Sequence, residues 1–158
     1  MKDMPTAQVE GLVLAGVSAR ENPADWLIIK KSSFQAGKTL SLPKSAKVGT
    51  SSARRKAMLL DLCPDVQTFD LRGNVPTRLK KLEEGDLDAI LLAAAGLIRL
   101  NIDLSSFEVV KLHPKEFIPA PAQGVVAYQV REDDLELRRT LKKIHHPEVV
   151  ECLSLIHI

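Results

Sequence analysis

From Ser52 to Gly96 helical and strand-like segments take turns, and this alternation constrains the fold more than any other feature of the chain. Residues 52–62 have helical composition and stop at Cys63-Pro64, because the residue before a proline is pushed out of the helical region. VQTFDL, 66–71, alternates, with Val66 facing opposite to Phe69 and Leu71, and has strand length. Asn74 is placed to cap the next helix and Pro76 falls in its first turn. Val75, Leu79 and Leu82 recur at i, i+4 and i+7, and Gly85 closes the segment. LDAILLAAAG then reads as a buried strand running into a turn. The order helix, strand, helix, strand is the signature of an α/β layer with a mainly parallel sheet.

The flanks add shorter elements. LVLAGV, 12–17, and WLIIK, 26–30, are apolar runs of strand length separated by the charged turn SARENPAD. The stretch KSSFQAGKTLSLPKSAK reads as surface loop. FEVVKL, 107–112, is a further strand, and IPAPAQG is too rich in proline and small residues for a regular element, so it reads as a crossover. VVAYQV resumes as a strand. Leu137, Leu141 and Ile144 mark one face of a helix beginning near Glu132, and Pro147 sits near the first position of another.

Of the 158 residues 45% are hydrophobic and 27% charged, enough apolar surface for a folded core. The net charge of +2 speaks against a generic nucleic-acid or membrane binder, whose footprint is strongly basic. Cys63 and Cys152 lack CxxC spacing, so neither a disulfide framework nor a zinc site is expected. His145 and His146 are adjacent on a helix start, where their side chains diverge, and no third ligand is near in sequence; a structural role is expected rather than a metal. MKDMPTAQVEG has no apolar signal core and no apolar run reaches bilayer length, which makes the cytoplasm the expected compartment.

GTSSARRK, 49–56, is electrostatically odd. Ser51 or Ser52 caps a helix whose first turn carries Arg54 and Arg55, although cations at this positive helix end cost about 0.3–1 kcal/mol each when exposed. Arg72 ends the strand at RGN, and Arg78 lies about one turn into the following helix. In open α/β sheets ligands sit at the carboxyl ends of strands, where these turns lie. Gly49 and Gly73 let the backbone turn closely, and Thr50, Ser51 and Ser52 offer hydroxyls and amide N–H groups. Arginine grips carboxylates and phosphates with paired hydrogen bonds. The four arginines thus describe a site for several negative charges. The plainer alternative is that each is solvated or paired with Asp61, Asp70, Glu83 or Asp88.

VGTSSARRKAMLL, LRGNVPTRLKKLEEGDLDAILLAAAGLIRL and PAPAQGVVAYQVRED resemble one family closely: hydroxymethylbilane synthase, also called porphobilinogen deaminase. MKDMP, 1–5, is similar to the end of its S-M-K-D-V-P motif. The resemblance implies a three-domain enzyme of tetrapyrrole and haem biosynthesis whose first two domains are periplasmic-binding-protein-like, with the active site in the cleft between them. It implies a monomer that joins four porphobilinogen units head to tail, with loss of ammonia, on a dipyrromethane cofactor held by a cysteine thioether. It places residues 1–20 at the end of the first domain, 21–118 in the second, 119–144 in the return to the first, and 145–158 at the start of a truncated third.

Each pyrrole carries an acetate and a propionate, so the implied ligand is a polycarboxylate. On the family's pattern Arg54, Arg55, Arg72 and Arg78 match carboxylate-binding positions, helped by Thr50, Ser51, Ser52 and Gly73. Lys2 matches a cofactor-carboxylate ligand. Gln123 and Gly124 match a G-Q-G loop whose first glycine is Ala122 here, and Arg131 matches a supporting arginine. Asp3 matches the catalytic aspartate, whose carboxylate suits stabilising positive charge on pyrrole nitrogen and moving protons. No GGC occurs, so the cofactor cysteine is expected to be absent and the chain to be an incomplete, inactive piece; LSLIHI also departs from the pattern. A binding module for anions or carboxylates without catalysis is the alternative, and a nucleic-acid reading ranks last, for want of aromatic residues and net charge.

Overall fold

The computed structural model describes residues 4, 7 and 9–154. Lys2 and Asp3 lie outside the described residues, as does the end of LSLIHI from 155 onward. In chain order the elements are β1 (Leu12–Val17), β2 (Asp25–Lys30), β3 (Lys47–Gly49), α1 (Ala53–Leu62), β4 (Gln67–Phe69), α2 (Val75–Glu84), β5 (Ala89–Ala93), α3 (Ala94–Arg99), β6 (Phe107–Lys111), β7 (Ala127–Arg131), α4 (Leu135–Lys142) and α5 (Pro147–Ser154). They fall into two compact units. One comprises Ala24–Pro119; the other combines the chain up to Pro23 with that from Ala120 onward.

The larger unit is an α/β layer around a five-stranded sheet of order β4-β3-β5-β2-β6. The parallel character expected from the sequence is confined to β4, β3 and β5; β2 runs antiparallel to both β5 and β6, so the sheet is mixed. The physical reason is the connection from β2 to β3: residues 31–46 form no crossover helix, only two short 3-10 turns at Lys31–Ser33 and Thr39–Ser41, and β2 enters beside β5 from the opposite direction.

The central strands are apolar on both faces because both are covered. Leu27 and Ile29 of β2 and Ala89 and Leu91 of β5 face one core with Val48 and Leu59 of α1. Ile28, Ile90 and Leu92 face a second core with Leu79 and Leu82 of α2 and Leu97 of α3. Burying each large aliphatic residue contributes about 1.5–3 kcal/mol. The apolar run expected to end in a turn continues instead into the short helix α3, whose Ala94, Ala95 and Leu97 are buried.

The smaller unit is built on a two-stranded antiparallel ribbon, β1 with β7, with an irregularity between Leu14 and Gly16. Val17, Ala122 and Val125 form its core with Val149 of α5 packed against them. The His145 Nδ1 accepts the Val17 amide at 3.2 Å, and the His146 amide donates to the Val17 carbonyl at 3.0 Å. Both histidine positions therefore fasten α5 to β1, and among the described residues no three His, Cys, Asp or Glu side chains gather as metal ligands.

Candidate functional site

At the carboxyl end of β3 the chain must turn sharply into α1, and hydroxyl side chains build that turn. The Thr50 amide donates to the Phe69 carbonyl at 2.8 Å, and Thr50 Oγ1 accepts the Ser52 amide at 3.3 Å. Ser51 Oγ donates to the Leu71 carbonyl and accepts the Leu71 amide, both at 2.9 Å, tying this turn to the one after β4. Ser52 is the N-cap, its side chain accepting the Arg55 amide at 3.4 Å. A Cβ on Gly49 would meet Leu87 Cδ1 at 2.8 Å, so any side chain here would have to displace Leu87 from the core.

The two arginines that follow do not stand free. Both bind Asp25, the first residue of β2, which is 0% exposed. Asp25 Oδ1 accepts Arg55 Nε at 3.0 Å and Arg55 Nη2 at 2.7 Å, while Oδ2 accepts Arg54 Nη2 at 2.7 Å. Arg55, 5% exposed, also donates to the Leu91 carbonyl at 3.2 Å. Arg54 donates to the Ile118 carbonyl at 2.6 Å, lies 5.9 Å from the centroid of the Phe117 ring, and keeps 25% of its side chain exposed. A carboxylate shared by two guanidiniums leaves one positive charge across the three groups. This carboxylate answers the cost of placing cations at the N-terminus of α1. Among the described residues none of the acids weighed as partners, Asp61, Asp70, Glu83 or Asp88, pairs with the four arginines; Asp88 instead accepts from Ser33 Oγ and the Lys47 amide.

The second junction lies after β4. Gly73 has φ +125°, a conformation that favours glycine, and its carbonyl accepts Arg78 Nε at 2.6 Å. Asn74 caps α2, its Oδ1 accepting the Thr77 amide at 2.9 Å, and Lys81 Nζ donates to the Arg72 carbonyl at 3.1 Å. Arg72 is exposed and Arg78 half-buried. Burial, then the positive charge of Arg55, hold the Arg78 guanidinium below its usual pKa. It stays cationic at neutral pH, where it feels Arg55 as a like charge. The two junctions therefore share one electropositive edge of the sheet.

Gln123 and Gly124 belong to the other unit and are occupied locally. The Gln123 side chain is almost fully buried and donates from Nε2 to the Pro23 carbonyl at 2.6 Å; the Gln123 backbone carbonyl accepts Arg20 Nε at 3.1 Å. Gly124 has φ +90°, its carbonyl accepts the Glu21 amide at 2.9 Å, and a Cβ there would fall 2.2 Å from the Glu21 carbonyl oxygen. Ala122, where the resemblance has glycine, accepts φ +57°. Arg131 is exposed on the last position of β7.

Sequence reasoning missed Asp25, Phe117 and the Ile118 and Leu91 carbonyls, which hold Arg54 and Arg55. The usable signal for Asp25 was its position: it directly abuts WLIIK, a run whose apolar character on both faces marks a central strand.

Comparison with known proteins agrees with the motifs. A family model described as "Porphobilinogen deaminase, dipyromethane cofactor binding domain" matches residues 1–139. The porphobilinogen deaminase of Fusobacterium nucleatum is 44% identical over 155 residues, covering 98% of this chain and 50% of that protein. Those of Moorella thermoacetica and Thermus thermophilus are 47% and 46% identical, covering 93% of this chain and 45% and 47% of theirs. The chain thus spans about half the length of the curated relatives it matches. Among solved structures, an arginine-specific periplasmic binding protein of Salmonella typhimurium matches 78% of this chain and 54% of its own at 14% identity and a TM-score of 0.49. An amino acid substrate-binding protein of Streptococcus pneumoniae bound to L-arginine matches 81% and 52%, at 17% identity and a TM-score of 0.47.

Proposed function

The chain belongs to the porphobilinogen deaminase family, and we propose that it holds a dipyrromethane group by its carboxylates within an enzyme that joins four porphobilinogen units, with release of ammonia, into hydroxymethylbilane. The observation that carries this reading is the shared edge of the sheet, where Arg54 and Arg78 remain only partly engaged and Arg78 is pressed by the charge of Arg55. The donor set fits carboxylates: planar guanidinium forks on partly exposed side chains, beside the first-turn amides of α1.

The residues divide the work. Arg54, Arg72 and Arg78 contact carboxylates. Arg55 and Gly73 shape the site from behind, and Thr50, Ser51 and Ser52 hold the turn that aims the amides. Lys2 adds a further carboxylate ligand, Gln123 and Gly124 serve as the family's crossover loop, and Asp3 steadies positive charge on pyrrole nitrogen and carries the proton lost when each new C–C bond forms. When bound, the dipyrromethane supplies the free pyrrole α-carbon to which the first unit is joined. Each addition breaks the C–N bond of an aminomethyl arm and expels ammonia. Neither Cys63, buried behind α1, nor Cys152, on α5, is assigned the thioether. On this reading residues 21–118 form the carboxylate-binding domain, 1–20 and 119–144 belong to its companion, and 145–158 lead into a third; the enzyme is a cytoplasmic monomer without a nucleic-acid or membrane partner. No described helix is long and apolar enough to cross a membrane.

Calorimetric titration of the chain with porphobilinogen and with citrate, using acetate as the single-carboxylate control, tests the site. Replacing Arg54 or Arg78 by Ala should weaken polycarboxylate binding by about tenfold or more each, the worth of one charge-assisted hydrogen bond. Binding that is undiminished in the Arg54→Ala, Arg78→Ala double variant would overturn the proposal.

A further inference from the structure

We infer that Asp25 is a positioning residue for carboxylate binding: it sets the direction and the net charge of the Arg54 fork. The inference rests on the function proposed above. Its starting point is the mixed sheet. Because β2 runs against β5, its first residue pairs with Ala93, the last of β5, and so lies at the edge where β3 delivers the turn into α1. Asp25 alternates with Leu27 and Ile29, which face the core that α1 covers. A parallel β2 would present its other end here and bring no acid to the arginines.

The geometry separates two tasks. Oδ1 accepts two hydrogen bonds from Arg55, which is buried and additionally tied to the Leu91 carbonyl. Oδ2 takes one nitrogen of Arg54, while the Ile118 carbonyl takes another. Arg54 is thus pinned from two sides across the ring of Phe117, its Nη1 also 3.8 Å from Met58 Sδ, with a quarter of its side chain exposed. A long, rotamer-rich side chain held this way gives up its freedom before a ligand arrives, and the ligand does not bear that cost. Asp25 also reduces two adjacent positive charges to one, which disfavours capture of any passing anion by this pair alone. Strong binding then requires a second carboxylate on Arg78, so the site selects ligands with several carboxylates over those with one.

The test compares folded variants of the full chain by calorimetry with citrate and with acetate, well below their unfolding temperatures. Asp25→Asn removes the charge and keeps the shape; Asp25→Glu keeps the charge and displaces it. Asp25→Asn should weaken citrate binding about tenfold, the size expected when a supporting partner rather than the contacting group is altered, and Asp25→Glu should recover part of that loss. The preference for citrate over acetate should narrow in Asp25→Asn. Leu42→Ala, a core change beside the far end of α1, controls for stability: it should lower the unfolding temperature and leave citrate affinity unchanged. If the parent chain binds citrate and Arg54→Ala weakens it, but both Asp25 variants bind as the parent does, the inference fails and the proposed site stands. Failure of the parent chain to bind citrate overturns both. A chain that folds with neither Asn nor Glu at this position makes Asp25 a residue of the fold alone and overturns the inference.

Discussion

The two strand-to-helix junctions look like copies in sequence and differ in physics. Each has a glycine, a capping side chain and arginines within about one helical turn. At the start of α1 the arginines are anchored through Asp25 into the interior of the sheet. At the start of α2, Arg78 and Lys81 reach back only to the carbonyls of Gly73 and Arg72, within their own turn. A guanidinium bound to a buried carboxylate cannot leave without stranding a charge, whereas one bound to an exposed carbonyl exchanges with water at little cost. The first junction is therefore a fixed frame, and the second supplies donors that are free to move onto a ligand.

The sharpest way to break this distinction is to delete one arginine from each. Arg55→Ala removes the buried guanidinium that gives the Asp25 carboxylate two hydrogen bonds, and should destabilise the larger unit by about 3–5 kcal/mol, as expected for breaking a buried pair. Arg78→Ala should stay within about 0.5 kcal/mol, as surface substitutions do, while losing carboxylate affinity. Urea unfolding read by circular dichroism measures both. Equal stability losses would show that the junctions are alike after all.

The caps probe the same contrast at lower energy. Asn74 accepts the Thr77 amide at 2.9 Å and the Thr77 hydroxyl at 2.7 Å, whereas Ser52 accepts the Arg55 amide at 3.4 Å. Removing either side chain falls in the range of about 0.5–2 kcal/mol, and Asn74→Ala should cost more than Ser52→Ala. At α1 the helix start is held by the arginine anchor as well, so its cap matters less. A larger loss at Ser52 would mean that the cap, not Asp25, fixes the start of α1.

Much of this frame was readable in the chain. The proline after Cys63 ends α1 because its restriction on the preceding residue is local, and α2 ends at Gly85, where a Cβ would meet the Lys81 carbonyl oxygen at 2.6 Å. The strands around Leu27, Leu91 and Val109 showed themselves by length and apolarity. Two features were not readable for a common reason. The partnership of Asp25 with Arg54 and Arg55 is decided across about thirty residues of chain, and the antiparallel entry of β2 beside β5 and β6 across about sixty or more. No turn signal or periodicity in SARENPADWLIIK says which way the strand will lie. Once β2 is placed, burial of the first residue follows, and a buried aspartate needs a cation. The spacing of the arginines suggests a site for anions, but which of them are held by the fold depended on an acid that looked like part of a loop.

The far ends of the two helices extend the comparison and give its smallest test. α1 ends on Cys63, a buried thiol 3.9 Å from the Thr39 carbonyl, and α2 ends on the exposed Gly85. Burial, then the negative charge of Asp65, raise the Cys63 pKa above its ordinary value. The protonated thiol is therefore the form that the fold favours. A folded-state pKa above the unfolded one contributes stability that is complete below the unfolded value, roughly pH 8.5, and is lost as pH rises through the folded value. The chain should lose more stability between neutral and strongly alkaline pH than Cys63→Ala does, because the unfolded parent releases a proton that the folded parent retains. The thiol should also resist iodoacetamide in the native state, whereas Cys152, exposed on α5, reacts. Parallel pH profiles for the parent and Cys63→Ala, or equal labelling of both cysteines, would place Cys63 in water and make the end of α1 as open as the end of α2.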